Sequence, residues 1–378
     1  MNSIERVLKT INHEEPDRVP TGEWGIDHDH VSKIIGHHTY WRNRKDSTLA
    51  LWEGRRDEMV ESLKNDYAEL IEKLDYDVLT VELVPPKGYR PEDPPRKTGE
   101  DMWEDSKGNI YKYAASNDSI LCLTHPAPKE EITEEDIDKS LEIEIDETQF
   151  ELIDFINEKY GKDKAILSRD VNIYGALMSP FGGDQTHQLI LPMLAPDEIK
   201  KMYRPALEWN KKLLENLKKR NVLIAMQGHD FAMNTGTFIA PNTLRDIYFP
   251  FMNMVNDEIV KNGMIPFFHC CGKTWDILED FAASGYKGYQ SVQKSAGMDT
   301  RRMKENYGDK LTLWTGVQCE TLIEGTKEEL EKEVREYLDL CMPGGGFIFG
   351  STNSVQYGAN TDNYLRALDI VWNEGIYR

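Results

Sequence analysis

Phe267-Phe268-His269-Cys270-Cys271-Gly272 joins an apolar strand pattern, residues 265–269, to a charged segment of helical length, residues 273–284. On an extended chain, positions i and i+2 face the same side, so the His269 imidazole and the Cys271 sulfur point together while Cys270 turns toward the opposite layer. The same order, strand then amphipathic helix, repeats around it. Residues 165–168, 222–227, 285–292, 311–316 and 346–349 read as strands, and residues 197–220, 241–262, 299–307, 327–340 and 360–373 as helices. Pro241-Asn242 opens one of these helices and Asn262-Gly263 closes it. Residues 19–24 and 77–83 supply two further strands, which completes the set of eight needed for a (β/α)8 TIM barrel. A doubly wound open sheet also alternates, but it carries a phosphate-binding glycine turn after its first strand, and Val19-Pro20-Thr21-Gly22-Glu23-Trp24 has none.

The expectation is therefore one α/β barrel domain over residues 1–378, preceded by N-terminal helical elements. The opening MNSIERVLKTINHEEPDR spaces its charges with a helical period where a secretory signal needs an unbroken apolar run. Residues 96–123 interrupt the alternation: Met102-Trp103-Glu104-Asp105 and Asn109-Ile110-Tyr111-Lys112-Tyr113 flank Ser106-Lys107-Gly108, the pattern of an inserted β-hairpin. The acidic run 130–147 reads as solvated helix and linker.

Lys and Arg number 45 against 66 Asp and Glu, a net charge of -21, which repels phosphate backbones and anionic membranes; nucleic acid and membrane partners are excluded. No apolar stretch approaches the ~20 residues needed to cross a bilayer. Five cysteines, an odd number without framework spacing, imply free thiols in a reducing, cytoplasmic compartment.

Imidazole and thiolate are both good zinc ligands, and a catalytic zinc takes three protein ligands with one position open. His269 and Cys271 sit at the C-terminal end of a strand, where a barrel carries its chemistry. Cys319, just after another strand, is the preferred third ligand; Cys341 lies within a helix and is expected to pack as core. Gln227-Gly228-His229-Asp230 ends a further strand. Asp230 or His229 can serve there as acid, base or ligand, and Asp170, beside Arg169, ends another. Asp230 as a helix cap and an Arg169–Asp170 ion pair are the structural alternatives. Gln227, Ser351 and Asn353 offer hydrogen bonds to a substrate, while Trp24, Phe231, Phe268 and Trp314 are candidate walls for a planar one.

Four stretches in this order, Glu15-Pro16-Asp17-Arg18-Val19-Pro20, His229-Asp230 with Ile239-Ala240-Pro241 and Phe249-Pro250-Phe251, Phe268-His269-Cys270-Cys271-Gly272, and Gly344-Gly345-Gly346-Phe347-Ile348, resemble the uroporphyrinogen decarboxylase superfamily. The resemblance implies a barrel with its pocket at the C-terminal face and one of two chemistries: cofactor-free decarboxylation of a tetrapyrrole, or zinc-dependent methyl transfer to or from a corrinoid. The decarboxylases carry an arginine-rich segment soon after the first strand to hold substrate carboxylates. Here Glu23-Trp24-Gly25-Ile26-Asp27-His28-Asp29-His30 is acidic and lacks arginine.

The methyltransferase branch is the closer likeness, since His269 and Cys271 match its first two zinc ligands. Its third is usually a cysteine after the last strand, where this chain has Ser351. The resemblance implies a zinc ion, a corrinoid supplied by a partner corrinoid protein, and a small methyl donor or acceptor, such as a thiol or a methoxylated aromatic undergoing O-demethylation; it also implies a homodimer. A corrinoid-binding Asp-x-His-x-x-Gly motif does not occur in the chain. A metal-independent lyase acting through Asp230 and the Arg169–Asp170 pair, and a non-catalytic barrel that holds a corrinoid or another ligand, are the rival readings.

Overall fold

The computed structural model describes residues 1–124 and 127–378. Its central sheet has seven parallel strands in the spatial order Val78–Val81, Ala165–Val171, Ile224–Gly228, Ile265–His269, Gly288–Gln290, Thr312–Val317 and Phe347–Ser351, with helices outside. Residues 20–22 close the ring between the first and last of these. Pro20 O accepts from Phe349 N at 2.9 Å, Gly22 N donates to Phe349 O at 3.1 Å, and Thr21 O accepts from Asp77 N and Val78 N at 2.8 and 3.0 Å. The strand expected at 19–24 is thus a short two-sided bridge. A Cβ at Gly22 would stand 2.8 Å from Val78 Cβ, so only glycine lets the backbones approach this closely.

Alternation along the strands sorts the apolar residues into two cores. Val78, Ala165, Leu167, Ile224, Met226, Phe267, Trp314 and Ile348 fill the barrel, while Leu79, Ile166, Ala225, Phe268, Leu313 and Phe349 face the helices. Trp314 is the largest of the inner set and donates its Nε1–H to Gly22 O at 3.1 Å, pinning the closing segment from within. Helix Ser3–Ile11, fixed at its start by a reciprocal Asn2–Glu5 capping box, contributes Val7 and Ile11 to the inner core and plugs the N-terminal mouth. Below it, the buried Asp77 carboxylate receives Arg6, Arg18 and the Ser3 hydroxyl, each at 2.7 Å. The Asp17-Arg18 stretch therefore braces the face opposite the chemistry, since Asp17 also accepts from Arg6.

The inserted hairpin is the middle of a four-stranded antiparallel sheet, Arg96–Gly99, Met102–Glu104, Ile110–Ala114 and Ser119–Cys122, with Trp103 opposite Tyr111 as its register requires. The helical segment expected over 197–220 is two helices, Pro196–Lys201 and Tyr203–Lys219, and the acidic run contains one, Glu134–Leu141. Among the described residues no helix is long and apolar enough to cross a membrane.

Candidate active site

His269 ends its strand beside Gly228 on one side and Gln290 on the other. The chain then turns at Gly272, whose φ of 83° is the left-handed region that suits glycine. This turn sets Cys271 Sγ 3.6 Å from His269 Nε2. Asp230, from the next strand end, accepts the Cys271 backbone N–H at 2.8 Å and lies 3.7 Å from His269 Nε2. One ligand atom from each of Asp230, His269 and Cys271 falls within 4.8 Å of the other two.

The imidazole is held from several directions. Trp24 stacks flat on it, ring centroids 4.5 Å apart at 5°, and Arg169 lies over the Trp24 ring at 5.4 Å. Gln290, fully buried on the adjacent strand, donates its amide nitrogen to Ser351 O and Asn353 O at 3.2 and 3.1 Å. Carbonyls only accept, so the Gln290 oxygen is left facing His269 Nδ1, with which it is hydrogen-bonded. Nδ1 must then carry the proton, and Nε2 presents its lone pair to Cys271 and Asp230. Burial lowers the His269 pKa, which keeps the ring neutral. Burial, assisted by the Asp230 carboxylate, pushes the Cys271 thiol up to about 12. A thiolate at Cys271 therefore calls for a nearby cation. Asn353 Nδ2 donates to the sulfur at 3.1 Å and the Ser291 hydroxyl at 3.7 Å, with Ser291 held at a φ of 93°, uncommon outside glycine.

A nitrogen, a sulfur and a carboxylate oxygen converging from two neighbouring strand ends suit zinc chemically. Asp230 is half exposed, so the set is open on the solvent side. Cys319 stays outside this group: its sulfur lies 3.7 Å from the Thr352 hydroxyl and the Ser354 carbonyl, and it faces a cavity of about 210 Å3 that Cys271 also lines. Asp230 rather than Cys319 lies beside His269 and Cys271, because the 228–230 turn follows the strand adjacent to His269. Cys341 is buried in helix Lys327–Cys341, as its sequence context implies.

His229 lines the mouth. It stacks on Tyr174 at 3.8 Å and 10°, and burial takes it down to about 4. Asp170 instead accepts from Leu83 N and the Ser168 hydroxyl at 2.9 and 2.7 Å, with burial raising it to about 6. The expected Arg169–Asp170 ion pair is replaced by Arg169–Glu82.

Several expected substrate contacts belong to the frame. Gln227 is wholly buried, bonding Asn256 at 2.5 Å and Tyr286 at 2.7 Å, since its position on the strand points to the helical layer. Phe231 packs against Tyr248 and Phe268, and Trp314 fills the barrel interior, so these aromatics belong to the packed frame. Ser351 gives its hydroxyl and N–H to Glu23 at 2.6 and 2.8 Å. Arginine reaches the region from elsewhere: Arg42 Nε bonds Asp27 at 2.8 Å within a small cavity that Trp24 and Arg169 also line. Gln290 and Ser291 were missed by sequence reasoning. Gln290 was legible in principle as an amide at a buried strand end; the Ser291 conformation has no sequence signal.

In solved structures, a methyltransferase from Methanosarcina mazei is similar over 98% of this chain and 99% of that chain, at 16% identity and a TM-score of 0.64. A sugar phosphate isomerase/epimerase from Parabacteroides distasonis aligns over 67% of this chain and 98% of that one at 10% identity and a TM-score of 0.34, too remote to bear on the fold. No curated protein sequence matches the chain significantly. The profile of the uroporphyrinogen decarboxylase family matches residues 128–373, about two thirds of the length, which includes every barrel strand but the first and the closing segment. The chain thus belongs to the uroporphyrinogen decarboxylase family.

Proposed function

We propose that the protein is a zinc-dependent methyltransferase that moves a methyl group between a small methylated molecule and the cobalt of a corrinoid carried by a partner protein. The observation that carries this reading is the convergence of His269 Nε2, Cys271 Sγ and an Asp230 oxygen at the barrel mouth. The likeness in fold to a methyltransferase supports it.

Bound there, zinc supplies a Lewis acid that draws electron density from the atom bearing the methyl group. The chain's own residues prepare the site. Gln290 holds the proton on Nδ1, so the imidazole meets a cation with its lone pair. Asn353 and Ser291 direct donors at the Cys271 sulfur and favour its anionic form. Trp24, lying flat on His269, fixes the ring plane and keeps water from that face. His229, neutral across the physiological range, lines the mouth without adding charge.

Zinc content of the purified, reduced protein tests this reading, beside transfer of methyl groups to cob(I)alamin followed by absorbance. The expected result is about one zinc per chain, lost in His269→Ala, Cys271→Ala and Asp230→Ala and kept in Cys319→Ala. Absence of bound metal after supplementation would sink the proposal and favour the metal-independent lyase.

A further inference from the structure

The cavity that opens beside Cys271 has a lining that narrows what can occupy it. Ser291, Gln293, Cys319, Thr352, Asn353 and Gln356 surround its volume of about 210 Å3. Glu320 adds the one carboxylate and Ile323 the one aliphatic side chain. Among the described residues, no arginine, lysine or aromatic side chain lines it.

These groups discriminate by physical class. Away from Cys271, a carboxylate or sulfonate would find no side-chain cation in the lining and would face the Glu320 carboxylate. An aromatic ring would find no stacking surface. An onium ion would find no aromatic cage, and its only opposite charge would be the exposed Glu320. Amides and hydroxyls suit hydroxyl groups, to which they donate and from which they accept.

The free hydrogen-bonding capacity can be located. Gln293 is occupied, accepting from Gly272 N and donating to Ser295. Asn353 spends its nitrogen on Cys271, which leaves Oδ1 as an acceptor. The half-buried Gln356 side-chain amide has no partner among the described residues, so it offers both a donor and an acceptor. The cavity is smaller than the roughly 300–1,000 Å3 typical of pockets for drug-sized ligands, so its occupant is small.

We infer that this cavity takes a small, uncharged, hydroxyl-bearing aliphatic molecule, held by Asn353 Oδ1 and the Gln356 amide. Resting on the methyl-transfer reading, the substrate class is then an aliphatic methyl ether with free hydroxyls, not a methoxylated aromatic acid. The ether oxygen lies toward Cys271 and the hydroxyls toward Gln356.

Ligand-observed NMR titration of the full chain, with and without added zinc, tests the inference. The probes are 3-methoxypropane-1,2-diol, 3-methoxybenzoate and tetramethylammonium. The diol is expected to bind saturably and roughly tenfold tighter than either rival, and Gln356→Leu, at the cavity rim, to weaken it by roughly fivefold. Equal or tighter binding of a rival, no saturable binding of the diol, or an unchanged diol affinity in Gln356→Leu would overturn it. Diol binding without methyl transfer would refute the methyltransferase reading alone. Methyl transfer from methoxybenzoate without diol binding would refute this inference alone.

Discussion

Gln290 and His269 form one hydrogen-bonded unit across two adjacent strands, in which the amide orientation is fixed by the Ser351 and Asn353 carbonyls at 3.2 and 3.1 Å and the imidazole tautomer follows from it. Groups that orient metal-ligating histidines in this way typically carry about 10–100-fold in metal affinity. Gln290→Leu should therefore lower zinc affinity by about that factor in a chelator competition. The 15N shifts of the metal-free His269 ring should also move from a single Nδ1–H tautomer to a mixture. An unchanged affinity and a single tautomer would rule out this coupling.

Gly272 makes the turn that brings Cys271 back to His269. Its φ is 83°, and a Cβ would stand 2.5 Å from the Ala232 carbonyl oxygen, a backbone atom unable to yield like a side chain. Gly272→Ala should cost about 2–4 kcal/mol in urea unfolding and weaken zinc binding through displacement of Cys271. Wild-type stability in this variant would mean the turn relaxes freely.

Glu23 is fully buried against Ser351, and burial raises it to about 8. The folded state thus holds a proton that the unfolded chain releases near the ordinary carboxylate value, so stability is full at acidic pH and declines as pH rises toward 8. Asp170, raised to about 6, acts with the same sign over a lower window. Glu23→Gln, neutral and of the same shape, should flatten the decline between pH 6 and pH 8 in thermal melts. A melting temperature that falls equally in both proteins would exclude Glu23 as its source.

Trp314 fills the barrel and ties the closing segment through Gly22 O. Trp314→Ala should cost about 3–5 kcal/mol by leaving a void and an unpaired carbonyl, yet retain zinc binding in the folded fraction. Loss of zinc stoichiometry in fully folded variant protein would contradict the separation of frame and site.

Much of this architecture was legible in the chain, because a parallel barrel writes itself as apolar strands alternating with amphipathic helices. Residues 265–269 are a strand as expected, and His269 and Cys271 meet because positions two apart share a side. The closing segment was legible only as an apolar run. Its reduction to a three-residue bridge depends on how closely Gly22 passes Val78, a distance set by both edges of the sheet. Gln227 was harder still, since a strand end carries polar residues on either face and only the register assigns the face.

The sequence by itself determined the barrel, the inserted antiparallel unit and the His269–Cys271 pair, all of which follow from periodicities local to the chain. Tertiary structure decided the rest of the site. It set Asp230 rather than Cys319 beside His269 and Cys271 by placing the 228–230 turn after the strand next to His269, gave Ser351 to Glu23 across more than three hundred residues, and set Gln290 against Nδ1. Such contacts depend on strand order and register, which belong to the closed sheet as a whole.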